Sequence, residues 1–306
     1  MRKTSAMYQV ARPVRFAKEE AIRIATRISG RKCDLPDFLI IGAQKAATTA
    51  LYNYLLQHPS VCKAVTKEVH FFDNRFSLGV SWYKSNFPQC KDRDAAGDYG
   101  IIGEASPYYL AHPYVPERVH SICPDVRLIV LLRDPVFRAI SQHDHERRRG
   151  FEKLPLKEAL AAEQERIAGE AQRLKDSKYR SYAYEHYSYV TRGLYAEQLD
   201  RWFALFPRSQ LLVLEAEMLR SQPSATLAAT AEFLGIEKWT PDLSVSHNPG
   251  AYSKPSSAEI EWLRTRFEQP NQRLNALLGR HFSWSMMEAR EPNSLIAHYE
   301  EDLSIE

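Results

Sequence analysis

The chain has no apolar run approaching the roughly 18–20 residues that a membrane-spanning helix needs. Its opening stretch, MRKTSAMYQVARPVRFAKEE, is basic but holds no apolar core, so it does not read as a secretory signal. Cysteine is scarce. Cys33, Cys62, Cys90 and Cys123 lack CxxC spacing, which suggests neither a zinc site nor a disulfide framework. Free thiols in a reducing cytoplasm are therefore expected. An excess of one charge is nearly absent: 41 Lys and Arg stand against 38 Asp and Glu, a net +3. That is too little to argue for nucleic acid, but a basic cleft for an anionic ligand is compatible with it. No internal repeat and no metal cluster is visible. What is present, 44% hydrophobic and 26% charged residues over 306 positions, is an ordinary globular composition. The length suits an α/β enzyme.

One stretch organises the rest. Residues Asp37 to Leu56, DFLIIGAQKAATTALYNYLL, read as a buried strand over Phe38 to Ile41, a tight loop over Gly42 to Ala47, and a helix from Thr48 or Thr49. A strand emptying through small residues into a helix makes an anion site, because the first helical N–H groups lack partners and the helix dipole adds positive charge. Lys45 supplies a full charge inside the loop, and Thr48 and Thr49 supply hydroxyls and a natural N-cap. The nucleoside-triphosphate pattern G-x-x-x-x-G-K-[ST] is missing: the Lys comes early and the second Gly is absent.

Strands alternate with helices along the chain, which predicts a parallel sheet with helices on both faces, a P-loop-like three-layer α/β sandwich. Five strands are expected, at about 38–41, 61–65, 100–104, 127–132 and 210–214. The apolar run RLIVLL is a central strand buried on both faces. Arg133 follows at its carboxyl end, where open α/β sheets bind ligands, with Asp134 as N-cap and Pro135 in the first turn of the next helix. Arg133 with Ser141, two turns on, suits a second phosphate monoester. After the second strand, Thr66 to Asp73 alternates Lys67, Glu68, His70 and Asp73 with apolar residues. In extended chain Glu68 and His70 face one side, a general-base arrangement. Residues 1–33 form a basic arm with a short helix. Residues 34–286 form the main domain, with 146–190 a charged helical excursion or lid. Residues 287–306 are an acidic tail.

Together these pieces resemble the sulfotransferases that use 3′-phosphoadenosine 5′-phosphosulfate (PAPS), most of all the branch holding heparan sulfate N- and O-sulfotransferases and bacterial relatives. IIGAQKAATTAL resembles the 5′-phosphosulfate loop. KEVHFFD resembles the catalytic segment of the heparan 3-O-sulfotransferases. VLLRDPVFRAIS resembles the 3′-phosphate element, and GLYAEQLDRWFALFP a later helix–strand unit. The similarity covers roughly residues 36–286.

The resemblance implies PAPS as donor, 3′-phosphoadenosine 5′-phosphate (PAP) as product, and no metal. Lys45 would neutralise the bridging oxygen. Gln44, Ala46, Ala47, Thr48 and Thr49 would line the 5′ end, and Arg133 and Ser141 the 3′-phosphate. Tyr195, Tyr252 and Lys254 would be further donor contacts. Glu68 would take the acceptor's proton, with His70 the runner-up base and Lys67 beside the sulfuryl oxygens. Lys67, His70, Asp73 and Ser106 would meet the acceptor, a hydroxyl or amine of a saccharide or glycolipid. Two departures matter. Ala47 replaces a common Gly, tolerable only if its φ stays negative. Ala105 stands where glycosaminoglycan enzymes usually carry Lys, which weakens a sulfated-polysaccharide acceptor. A bacterial cytoplasmic enzyme is expected, with peripheral contact to the inner membrane left open and no nucleic-acid partner. A P-loop-type small-molecule kinase and a non-catalytic anion-binding scaffold are the other readings.

Overall fold

The computed structural model describes residues 17, 19–25, 34–87, 100–244, 255–282 and 284. Five strands lie side by side, all parallel, in the order β2-β3-β1-β4-β5. They are β1 Phe38–Gly42, β2 Val61–Lys63, β3 Ile101–Ala105, β4 Arg127–Leu132 and β5 Leu211–Glu215. All five occur where the sequence places them. β1 is central, pairing Phe38 with Gly103 on one side and with Arg127 on the other, and it is buried along its whole length. Continuous apolar runs such as LIVLL fit strands covered on both faces. β2 stops at Lys63, short of the expected Val65. The reason lies in the hydrogen bonds: the Ala64 N–H donates to the Tyr52 hydroxyl (3.3 Å) and the Val65 N–H to the Asn86 carbonyl (2.9 Å), so neither continues the ladder.

Helices connect successive strands, as parallel pairing requires. Chain order gives α1 Thr48–Leu55, α2 Phe71–Asn74, α3 Val80–Lys84, α4 Val115–Ile122, α5 Pro135–Arg148, α6 Leu156–Ile167, α7 Glu170–Arg173, α8 Tyr182–His186, α9 Tyr195–Phe203, α10 Ala216–Ser221, α11 Pro223–Leu234 and α12 Ser257–Leu278. Residues 19–25 are also helical. The ends follow local chemistry. Asp134 caps α5 by accepting the Val136 N–H at 2.8 Å, with Pro135 at the first position. Ser256 and Glu259 form a capping box on α12, and Gly235 closes α11 in the left-handed conformation. α1 differs from expectation: its N-cap is Ala47, which offers no side-chain cap, not Thr48 or Thr49.

Three apolar clusters hold the chain together. The largest wraps the sheet. A second packs Val136 and Ile140 of α5 against Leu160 of α6 and Ile260, Leu263 and Phe267 of α12. A third joins Tyr108 to Ile167, Leu174 and Tyr184, so residues 146–190 contribute apolar side chains to packed interiors. The free-thiol expectation is corrected. Cys62 is disulfide-bonded, with its partner outside the described residues, and Cys123 is a buried free thiol. Spacing cannot show this, because a disulfide depends on Cα atoms meeting in space. The cysteine argument for a reducing compartment therefore falls.

Gly103 sits where β3 crosses Phe38 of β1. A methyl there would lie 2.5 Å from the Phe38 carbonyl oxygen and 2.6 Å from its ring. Backbone cannot yield as a flexible side chain does. Gly103→Ala is expected to lower unfolding stability by about 2–4 kcal/mol, measured by urea denaturation. An unchanged midpoint would refute the close approach.

Candidate active site

The carboxyl edge of the sheet gathers most of the residues expected to act. In the loop from β1 to α1, Lys45 and Ala47 have φ of 68° and 56°. The expectation of a negative φ at Ala47 is thus overturned. The loop needs left-handed backbone there, and Ala adopts it at a cost of about 1–2 kcal/mol. With no side chain capping α1, its first N–H groups are left to an outside acceptor. Arg133, buried at the end of β4, donates from its guanidinium to the Lys45 carbonyl at 3.1 Å. The two strand ends therefore form one continuous rim. Tyr195 donates its hydroxyl to the Arg133 carbonyl at 2.9 Å, and Ser141 is fully buried on α5. His145, also on α5, is pushed down to about 4 by burial and then by the Lys45 charge.

The second half of the site is residues 66–73. It is not extended. Glu68 and His70 have φ of 60° and 52°, so left-handed turns, not strand alternation, bring them to one side. The carboxylate Oε2 of Glu68 lies 3.1 Å from His70 Nε2, and Asp73 Oδ2 lies 2.6 Å from His70 Nδ1. Lys67 bridges the halves: its Nζ donates to Thr49 Oγ1 of α1 at 2.7 Å and to Glu68 Oε1 at 3.4 Å. Burial alone would lower the His70 pKa, but Asp73 and Glu68 outweigh it and raise it to about 10. Burial opposes ionisation of Glu68, yet His70 and then Lys67 hold its carboxyl down at about 2. At neutral pH the row reads carboxylate, imidazolium, carboxylate. The four left-handed non-glycine residues among those described, Lys45, Ala47, Glu68 and His70, all lie in this site. Strained backbone concentrates where function needs it.

Sequence reasoning missed the group that holds this segment. Glu104, fully buried at the end of β3, accepts four hydrogen bonds: from the Val69 N–H (3.2 Å), Ser106 Oγ (2.7 Å), and the hydroxyls of Tyr83 and Tyr109 (2.9 Å each). Ser106 Oγ in turn accepts the His70 N–H at 3.2 Å, and the Tyr109 hydroxyl accepts the Phe71 N–H at 2.9 Å. Arg192 was missed as well; it donates to the Gln44 side chain at 2.6 Å. A carboxylate at a strand end was the visible signal for Glu104; Arg192, at the end of a Tyr-rich loop, gave none. Tyr252 and Lys254 lie outside the described residues. Among the described residues, no group of three His, Cys, Asp or Glu is placed to hold a metal ion, and no helix is long and apolar enough to cross a membrane.

Comparison with known proteins shows a family for this chain. The sulfotransferase domain family profile matches residues 35–264. Human heparan sulfate glucosamine 3-O-sulfotransferase 6 is 33% identical over 215 residues, 68% of this chain and 54% of that protein. The membrane-associated sulfotransferase kil1 of Dictyostelium discoideum is 27% identical over 84% of this chain and 68% of its own. The chain spans about half the length of the heparan sulfate relatives it matches. The crystal structure of a sulfotransferase from Alicyclobacillus acidocaldarius superposes with a TM-score of 0.60 at 31% identity, covering 82% of this chain and 98% of that one.

The charge row can be read directly. In a nitrogen-15 NMR titration the His70 ring is expected to stay doubly protonated well above its ordinary 6.5, with a midpoint near 10. Asp73→Asn should lower that midpoint by about one unit or more. Because the folded value is raised, the charged ring stabilises the fold fully below about pH 6.5, and that contribution fades as pH rises toward 10. A midpoint near 6.5 in the wild type would dissolve the carboxylate–imidazolium row.

Proposed function

The chain belongs to the sulfotransferase domain family, and on that premise we propose that it moves a sulfuryl group from PAPS to a hydroxyl or amine of a saccharide or glycolipid by in-line displacement. The observation that carries this reading is the shared rim. Lys45 and Arg133 come from neighbouring strand ends joined through one hydrogen bond, and Lys67 links the same loop to Glu68. Two cationic residues on neighbouring strand ends suit a nucleotide that carries two anionic groups. The uncapped start of α1 with Lys45 suits the 5′ phosphosulfate; Arg133 and Ser141 suit the 3′ phosphate.

Each residue then has a task. Lys45 neutralises the bridging oxygen as its bond to sulfur breaks. Lys67, held by Thr49, stands between that loop and Glu68, where charge on the sulfuryl oxygens would gather. Glu68 orients the acceptor hydroxyl or amine; as the new bond to sulfur forms, it takes the released proton on Oε1, the oxygen not facing His70. Asp73 and His70 hold Glu68 in place. A saccharide is favoured because relatives at 33–34% identity are named heparan sulfate glucosamine 3-O-sulfotransferases. A glycolipid is the other acceptor of that chemistry.

Calorimetry with PAP is expected to give one site at micromolar affinity, and no heat at high micromolar PAP would overturn the reading. Glu68→Gln should reduce turnover by about two orders of magnitude or more while leaving PAP affinity within about twofold. Transfer would be followed by mass spectrometry for addition of one SO₃ to the acceptor. Retained turnover in that variant would move the base role to His70. Activity that survives EDTA would separate the reaction from a magnesium-dependent kinase.

A further inference from the structure

Arg192 is a buried cation with no carboxylate within ion-pair reach among the described residues. Its guanidinium is held by neutral acceptors: Ser188 Oγ at 2.9 Å, the carbonyls of Tyr184 (3.1 Å) and Glu185 (2.7 Å), and Gln44 Oε1 at 2.6 Å. Its flat face lies over the Tyr108 ring, 4.4 Å from the centroid. Burying an ion without a counter-ion is expensive, which points to an anion that arrives from outside. The loop carrying Arg192 is itself pinned. Glu163 of α6, buried, accepts the N–H groups of Val190 at 2.7 Å and Thr191 at 2.8 Å.

The contact with Gln44 fixes more than a distance. Arginine only donates, so the Gln44 amide must turn its oxygen toward Arg192. That leaves its NH₂ group facing away, in the loop next to Lys45. Among the described residues the Gln44 side chain has no other hydrogen-bond partner. We infer that Arg192 is a positioning residue that sets the Gln44 amide so that its NH₂ donates to the phosphosulfate end of the donor nucleotide. This rests on the proposed sulfuryl transfer and adds a third cation, with a directed donor, to Lys45 and Arg133. Two N–H donors aimed in advance at an anion are worth more than flexible ones, because no reorganisation accompanies binding.

Gln44→Glu separates orientation from packing. A carboxylate keeps the Arg192 contact and adds charge pairing, so the melting temperature should hold or rise. The same change puts an acceptor where a donor is needed. The donor KM for PAPS is expected to rise at least about tenfold, with the acceptor KM within twofold. Arg192→Gln, which frees the amide to flip, should raise the donor KM severalfold, and the double variant Gln44→Ala with Arg192→Gln should be no worse than Gln44→Ala alone. Wild-type donor KM in Gln44→Glu would overturn the inference while PAP binding by the wild type keeps the sulfotransferase reading. Absence of PAP binding in the wild type overturns both. A parallel rise in donor KM, acceptor KM and loss of melting temperature would also overturn it, since that is what lost packing alone produces.

Discussion

One buried carboxylate governs the geometry of this site. Glu104 sits at the carboxyl end of β3 with no exposed surface and four donors around it. Burial raises its pKa, and the Ser106, Tyr109 and Tyr83 hydroxyls oppose that rise without cancelling it. A carboxyl buried in such a place is tolerable only when its polar atoms are hydrogen-bonded. The donors are not incidental. Three of the four are the Val69 N–H itself and two hydroxyls that in turn accept the N–H groups of His70 and Phe71. The backbone of residues 66–73 thus inherits its path from a side chain on the sheet. That path includes left-handed conformations at Glu68 and His70, each unfavourable by about 1–3 kcal/mol for a non-glycine residue. Hydrogen bonds at about 0.5–1.5 kcal/mol each are together large enough to offset them.

The donor side is organised by a different balance. Arg133 and Lys45 approach through a guanidinium–carbonyl hydrogen bond, so two cations are held near one another by a neutral group. His145, pushed down to about 4 by burial and by Lys45, is kept neutral at physiological pH and adds no third repulsive charge. Arg192 joins by the same device, with backbone carbonyls in place of a carboxylate. Among the described residues the Arg192 charge meets only neutral acceptors. It stays available to an anion, as electrostatic preorganisation requires.

The sheet was legible in the sequence because its signals are local. Apolar runs of strand length recur at the right spacing, and Asp134-Pro135 and Ser256–Glu259 announce helix starts without knowledge of the rest of the chain. Lys45, Glu68, His70 and Arg133 were legible for a related reason: strand ends in a parallel sheet face one edge. What escaped was through-space. The partner of Glu104 is a loop more than thirty residues earlier, and the partner of Arg192 lies 148 residues away. The Cys62 disulfide depends on a meeting of chain segments that no spacing encodes. The Ala47 conformation failed for another reason. A preference for Gly at φ > 0 is statistical, and the surrounding loop outweighs it.

On the proposed reading, the low pKa of Glu68, about 2, looks at first like a poor property for a base. The chemistry argues otherwise. If sulfuryl transfer resembles phosphoryl transfer in passing through a loose transition state, bond making to the acceptor lags behind bond breaking at the donor. The acceptor oxygen or nitrogen then stays nearly uncharged until late, and its proton becomes acidic only as the new bond completes. A weak base suffices at that moment. What matters earlier is a fixed, ionised hydrogen-bond acceptor that orients the nucleophile for in-line attack. The imidazolium at His70 favours that state, since it holds the Glu68 carboxyl down at about 2, and Asp73 favours the imidazolium. The row of three charges therefore exchanges base strength for certainty of ionisation and position.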